Sequence, residues 1–160
     1  MSSVLDVLPI VVWCVVFGLR YFLFNILPKY TPVEVLGAEE VDVLIDHSRS
    51  ICMKKLGPVH SKVKIKRLPK KLIGQYDGSS SMIYIDLKKM ITLELSVNDL
   101  IATVIHEFVH ERQNLIDKNF SKKYQEWNRK VGYDNNPYEI EANQLGSRLA
   151  PSVIKSAFND

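Results

Sequence analysis

Hydrophobic and polar positions recur with two different periods along the chain, and these periods predict its elements. From Val33 to Leu56 the apolar residues repeat about every 3.6 positions, which is typical of an amphipathic helix, and Gly57-Pro58 ends it. Apolar and polar residues alternate in Val63–Leu68 and again in SMIYIDL, residues 81–87, which predicts strands. The turn-rich YDGSSS segment predicts a hairpin between Ile73–Tyr76 and Met82–Ile85.

The second half of the chain predicts helices. Ser96, with Asp99 three residues later, predicts an N-cap and capping box for a helix that ends near Asn114 or Leu115. Another helix covers about Ser121–Lys130. After the GYDNNP loop, a last helix runs from Tyr138 to Leu149 or beyond, with Pro137 in its first turn. These patterns predict a small α+β domain over residues 31–160, with a few-stranded and mostly antiparallel sheet.

Residues 1–30 are far more apolar than the rest of the chain. The stretch 4–27 is long enough to cross a bilayer, although Asp6, Arg20 and Asn25 interrupt it. We expect a hydrophobic N-terminal helix that forms a single membrane anchor, with Arg20 reaching one interface. A helix that lies in the interface, or an apolar helix of a soluble core, are the alternatives. If the segment spans, the cations that follow it place the C-terminal domain in the cytoplasm.

Composition adds little to this description. The 160 residues are 46% hydrophobic, which suits one domain with a real core, and the net charge is only +3. Cations cluster in Lys62–Lys71 (KVKIKRLPKK), and we interpret them as the solvent-exposed face of a strand. A surface that binds nucleic acid would need more aromatic residues between the cations. We therefore expect no nucleic-acid partner. Cys14 and Cys52 are too few for a disulfide framework or a Cys-type zinc site, and we expect two buried thiols.

The candidate catalytic and metal-binding residues lie in residues 102–113, ATVIHEFVHERQ. Four residues apart on a helix, His106 and His110 lie on one face and can share a metal ion. This is the HExxH pattern, in which two imidazoles hold Zn²⁺ at about 2.0–2.1 Å and the glutamate, Glu107, acts as general base on a water whose pKa the zinc lowers. The apolar residues of the helix gather on the opposite arc: Ile101, Val104, Ile105, Phe108, Val109, Leu115 and Ile116.

A third zinc ligand is expected from the last helix. The stretch NPYEIEANQLGSRL offers Glu139 and Glu141. These two positions lie about 200° apart around a helix, so both cannot face one ion. The residues alone leave the choice between them open.

HEFVH followed by EIEAN resembles the gluzincin branch of the zincin metallopeptidases, over about Ser96–Pro151. That branch has HExxH on one helix and Glu-x-x-x-Asp on a later one. The resemblance implies a zincin-like fold with an active-site helix and a ligand helix, a Zn²⁺ cofactor, and hydrolysis of protein or peptide substrates. It implies Glu139 as the third ligand. Asn143 takes the position of the family's Asp and lacks its negative charge, which lowers the expected affinity or rate.

The remaining expectations concern the substrate. Tyr133, Tyr138 and Arg148 are near enough in sequence to stabilise a developing oxyanion, although each also has a structural interpretation as a packing aromatic or a surface cation. We interpret Met82–Asp86 as an edge strand on which an extended peptide could lie, and the alternative is an ordinary strand of the sheet. The alternative to an enzyme is a membrane or assembly protein whose zinc site is structural or vestigial. Glu107 argues against it, because a structural site needs no base.

Overall fold

A computed structural model of the chain describes residues 31–69 and 71–158. The described residues form an α+β domain with one three-stranded sheet and five α-helices. The strands are β1 (Lys62–Ile65), β2 (Gly74–Asp77) and β3 (Met82–Ile85). The helices are α1 (Ala38–Leu56), α2 (Leu87–Thr92), α3 (Val97–Ile116), α4 (Phe120–Val131) and α5 (Pro137–Phe158). The α+β prediction is confirmed at this level.

The expected N-terminal helix over residues 4–27 lies outside the described residues, as does Cys14. Among the helices of residues 31–69 and 71–158, none has the length and hydropathy required to cross a bilayer. Cys52 is a buried thiol in α1, as expected, and burial raises its pKa to about 12.

Helix α1 begins later than its periodicity predicts. The residues Val33–Val35 form one short 3-10 turn, and the α-helix starts only after Gly37. The Gly37 N–H donates to the Glu40 carboxylate at 2.5 Å, which satisfies a backbone donor that the first helical turn leaves unpaired. The predicted end is confirmed, since α1 stops at Leu56 and Gly57 follows with a φ of 101°.

The sheet has the order β1-β3-β2. Its β2–β3 pair is the predicted antiparallel hairpin, with Gly74 opposite Ile85 and Asp77 opposite Met82. Strand β1 pairs with β3 in parallel, so the expectation of a mostly antiparallel sheet holds for only one of the two pairs. The interpretation of Met82–Asp86 as an edge was wrong, because β3 is paired on both sides. The edge strand of the hairpin is β2.

Helix α2 was not predicted from the sequence. Buried Asp86 begins it, accepting a hydrogen bond from the Lys89 N–H at 2.9 Å. The other Asp86 oxygen accepts from the Leu68 N–H at 2.9 Å. This contact ties the loop between β1 and β2 to the start of α2. The short helix fills the connection between β3 and α3.

The core lies between α3, α5, α1 and the sheet. Helices α3 and α5 approach closely at Gly146, where an added Cβ would lie 2.7 Å from the Ala102 carbonyl oxygen. The apolar arc expected on α3 is buried from Ile101 to Val109. Leu115 and Ile116, at 49% and 65% exposed, are exceptions because the last turn of the helix extends beyond the core.

Candidate metal centre

Three side chains from two helices converge at the centre of the molecule. His106 and His110 project from α3, with their Nε2 atoms 2.9 Å apart. Glu139, in the first turn of α5, places Oε2 3.2 Å from His106 Nε2 and Oε1 3.2 Å from His110 Nε2. Asn136 and Pro137 fix this helix start, since the Asn136 side chain accepts from the N–H of Tyr138.

The other imidazole nitrogens are held by amide side chains. His106 Nδ1 lies 3.0 Å from Asn143 Oδ1, and His110 Nδ1 lies 2.8 Å from Gln113 Oε1. Because an amide oxygen only accepts, each Nδ1 carries the proton of its ring. In the neutral form of each ring, Nε2 then carries the lone pair, and each Nε2 lies beside one oxygen of the Glu139 carboxylate.

The orientation of the Gln113 amide is fixed by its own partners. Its Nε2 donates to the Tyr138 carbonyl at 3.1 Å and to Glu141 Oε2 at 2.9 Å, so its oxygen must face His110. Glu141 therefore orients Gln113 and does not join the converging donors, in keeping with the 200° that separates it from Glu139. Its spacing is the one signal by which Gln113 could have been found, since it lies three residues after His110 and so beside it on the helix.

This arrangement fits a zinc ion. Ligand atoms of a tetrahedral zinc with bonds of about 2.1 Å lie about 3.4 Å apart. Here the two Nε2 atoms are 2.9 Å apart, and each lies 3.2 Å from a different oxygen of Glu139. The three donor atoms all lie within 4.8 Å of one another, and two histidines with one glutamate is a known catalytic ligand set. Glu139 Oε2 is buried and accepts no hydrogen bond of good geometry from the described residues. A cation held between the two imidazoles and this carboxylate would supply the missing interaction.

The charges of the site are set by burial and by these contacts. Burial acts to raise the pKa of Glu139, but His106, His110 and Tyr124 outweigh it and hold the pKa well below its usual range. Glu139 is therefore an anion. Burial acts to lower the pKa of His110, and its contact with Glu139 and the charge of Glu107 reverse the shift, so that the pKa is raised.

Helix α4 contributes a ligand-orienting residue that the sequence did not indicate. The Tyr124 hydroxyl donates to Glu139 Oε1, and its ring packs edge-on against His110 with centroids 5.9 Å apart. Asn136 ties α4 to the start of α5, since its amide donates to the Tyr124 carbonyl at 3.2 Å. No spacing rule singles out Tyr124, because the contact joins separate helices.

Glu107 lies beside the cluster and faces a cleft. It is 5% exposed, and this burial raises its pKa, while the charges of His106 and His110 and the backbone N–H of Tyr76 oppose the shift. Gly74 of β2 leaves room for it, since a Cβ there would lie 2.6 Å from Glu107 Oε1. A side chain at position 74 would push the carboxylate aside.

The cleft has two lobes that meet at His106, Glu107 and Tyr133, which line both. The first, of about 300 Å³ and here called the α3 lobe, is lined by Leu95, Asp99, Ala102, Thr103 and Asn143 among others. The second, of about 590 Å³ and here called the α4 lobe, is lined by Asn114, Phe120, Tyr124 and Gln125 among others. Strand β2 lines the α4 lobe from Gly74 to Asp77, and Gly74 lines the α3 lobe as well.

Of the three oxyanion candidates, Tyr133 lines the cleft, whereas Tyr138 and Arg148 do not. Tyr133 borders the cleft junction after Gly132, whose φ of 80° turns the chain at the end of α4. The Tyr138 ring instead packs edge-on against Phe120 at 5.1 Å, outside the lining of both lobes. Arg148 also lies outside them and is exposed, because nine residues after Glu139 it falls about 180° around α5.

Comparison of the chain with protein-family models, with curated proteins and with solved structures finds no match.

Proposed function

We propose that this chain is a zinc-dependent metallopeptidase with a zincin-like fold of the gluzincin type. One observation supports the proposal: possible ligand atoms of His106, His110 and Glu139 lie within 4.8 Å of one another, and Glu107 lines the open cleft beside them. A purely structural site would be closed by a fourth protein ligand. Beside these three residues the structure has an open cleft and the buried carboxylate of Glu107.

Each residue has a role in hydrolysis. A bound zinc ion would supply Lewis-acid polarisation of the attacking water and of the substrate carbonyl. Glu107 accepts the proton of that water and passes it to the leaving amine, so that a peptide gives a carboxylate and an amine. Its burial strengthens it as a base, because the pKa is raised. Tyr133, at the lobe junction, is the side chain best placed to donate to the developing oxyanion.

The edge strand supports an extended peptide as the substrate. The Asp86 N–H donates to the Ile73 oxygen at 2.8 Å, so these two form a hydrogen-bonded pair of the β2–β3 ladder. By the alternation of an antiparallel ladder, Gly74 and Tyr76 then direct their backbone groups away from β3, toward the cleft. Glu107 already accepts from the Tyr76 N–H, so a peptide strand beside β2 would pair with the backbone groups of Gly74 and with the Tyr76 carbonyl, and present one bond to the metal centre.

We also propose that residues 4–27 anchor the enzyme in a membrane. The support is the sequence itself, which is apolar over a length that spans a bilayer. The described domain then lies on the side of the membrane that its cations favour, the cytoplasmic side.

A comparison of Glu107→Gln with Glu126→Gln tests the peptidase. Glu126 is an exposed carboxylate on α4, so its replacement controls for the loss of one charge. The detergent-solubilised full chain and both variants are expected to retain about one zinc per chain by atomic absorption. Glu107→Gln should lower hydrolysis of fluorescent casein by about 100-fold or more, and Glu126→Gln should not change it.

Two results would contradict this proposal. A protein that holds no zinc after folding would remove the metal centre. Zinc binding with equal hydrolysis, or equal absence of hydrolysis, in the wild type and Glu107→Gln would leave only a structural site.

A further inference from the structure

The apolar N-terminal segment joins the described domain at a fixed place, the start of α3. The Thr31 carbonyl accepts a hydrogen bond from the Val97 N–H at 2.7 Å. The Val33 N–H donates to the Leu95 carbonyl at 2.9 Å, and Pro32 pairs with Ser96 in an isolated antiparallel bridge. Thr31 is buried. The position of residue 31 is therefore set by the same helix that holds the two histidines.

This junction lies at the mouth of the α3 lobe. Leu95 accepts from Val33 and also lines that lobe. Asp99, which caps Ser96 at the start of α3, lines the lobe too. His106 and Glu107 line the same lobe from further along the helix. The chain that arrives from residue 30 thus meets the domain within a few residues of the cleft.

The tether between the apolar stretch and this junction is short. Three residues, Pro28, Lys29 and Tyr30, separate position 27 from Thr31. Fully extended, the four residue-to-residue steps from position 27 to position 31 reach at most about 14 Å. The polar layer on each side of a bilayer is about 5–8 Å thick. A segment whose apolar part ends at residue 27 therefore holds Thr31 at or just outside the headgroups.

We infer that the end of the domain around Thr31 faces a lipid bilayer, and that the cleft receives juxtamembrane polypeptide of membrane-embedded proteins. The second part rests on the proposed peptidase and anchor. Two apolar side chains are exposed beside the junction, Val35 at 43% and Leu93 at 56%, and α2, which precedes Leu93, packs against residues 33–35. Such residues are suited to the interface.

Charge does not set this orientation. Among the described side chains near the junction, exposed Lys71 and Lys88 are offset by exposed Glu34 and Glu94. The tether is the constraint, so vesicles of neutral phosphatidylcholine should serve as well as anionic ones.

A pair of fluorescent labels tests the orientation without any catalysis. The full chain with Cys14→Ser carries either Leu93→Cys, beside the junction, or Ser80→Cys, in the exposed turn between β2 and β3. Buried Cys52 stays unlabelled. The turn lies at the far end of the sheet, about 13 Å further away for four strand residues. In phosphatidylcholine vesicles with nitroxide headgroups, the label at 93 should be quenched at least about threefold more than that at 80. Equal quenching, or a chain that does not float with vesicles, overturns the inference.

A second experiment tests the substrate class. A single-span reporter in the same vesicles carries one casein segment either 5 or 40 residues from the bilayer. The wild type should cleave the near segment at least about tenfold faster, and a Gly/Ser insertion of 15 residues after Pro28 should remove most of that preference, because it lengthens the tether. Equal cleavage of both segments by the wild type overturns the substrate class. Cleavage of neither overturns the peptidase, while the label quenching still reports the orientation.

Discussion

Replacing Gln113 by alanine is expected to weaken zinc binding by about 10- to 100-fold without unfolding the protein. Gln113 is the acceptor for His110 Nδ1, at 2.8 Å. Without it the His110 ring loses the contact that fixes its tautomer and its angle. Glu139 and His106 remain in place, so the site keeps its ligands and loses only the orientation of one of them.

The magnitude follows from burial. The His110 side chain is 9% exposed and Gln113 is 4% exposed, so water has little access to the vacated acceptor position. An unsatisfied buried donor costs about 1–3 kcal/mol. Since about 1.4 kcal/mol corresponds to a factor of ten, this cost corresponds to a loss of about 5- to 140-fold, which includes the 10- to 100-fold range. Glu141 loses a donor as well, but it is exposed and contributes little.

Competition with a chelating dye measures this change, and circular dichroism checks that the variant is folded. Asn143→Ala is the comparison: Asn143 is exposed, so water replaces its oxygen at His106 Nδ1, and we expect a loss below about threefold. An unchanged dissociation constant in folded Gln113→Ala would refute the reasoning.

Other substitutions test the surroundings of the site. Gly74→Ala puts a Cβ 2.6 Å from the Glu107 carboxylate, so casein hydrolysis should fall at least about tenfold with the zinc affinity unchanged; a parallel loss of zinc would contradict this. Gly146→Ala, whose Cβ would lie 2.7 Å from a backbone oxygen of α3, should lower the free energy of unfolding in urea by about 1–3 kcal/mol, and equal stability would show that the helices separate freely. Hydrogen bonding from the Leu68 N–H, against the opposing effect of burial, holds the pKa of Asp86 below its usual range. Ionised Asp86 therefore stabilises the fold above about pH 4, and this contribution is lost as the pH falls through its folded-state pKa. The free energies of unfolding of wild type and Asp86→Asn, measured in urea, should converge in acid. A difference that stays constant with pH would contradict this prediction.

Local sequence rules predicted what a single helix or hairpin determines. The spacing of His106, Glu107 and His110 fixes their common face, and Ser96 with Asp99 marks the start of that helix, where both capping contacts form. The β2–β3 hairpin was predicted because its turn residues are adjacent in sequence. In each case the determining residues lie within about one turn of helix or one short loop.

Contacts between distant elements were outside the reach of such rules. Tyr124 reaches Glu139 from another helix, and nothing in the α4 sequence marks it. The parallel pairing of β1 with β3 depends on the connection through β2, which periodicity does not describe. Helix α2 was missed because six residues hold too few repeats to show a period, and its cap, Asp86, was assigned to the preceding strand.

Helix α3 gives the site a mechanical property of its own. Its inner face is the core of the molecule, with Ile101, Ile105 and Phe108 fully buried, and its outer face presents the two histidines. The helix cannot fray or tilt in this region unless the core opens with it. Amide protons from 105 to 110 should therefore exchange with solvent only through global unfolding. Damage to the fold would then abolish the centre in a single step, and no partly disordered form would retain the cation.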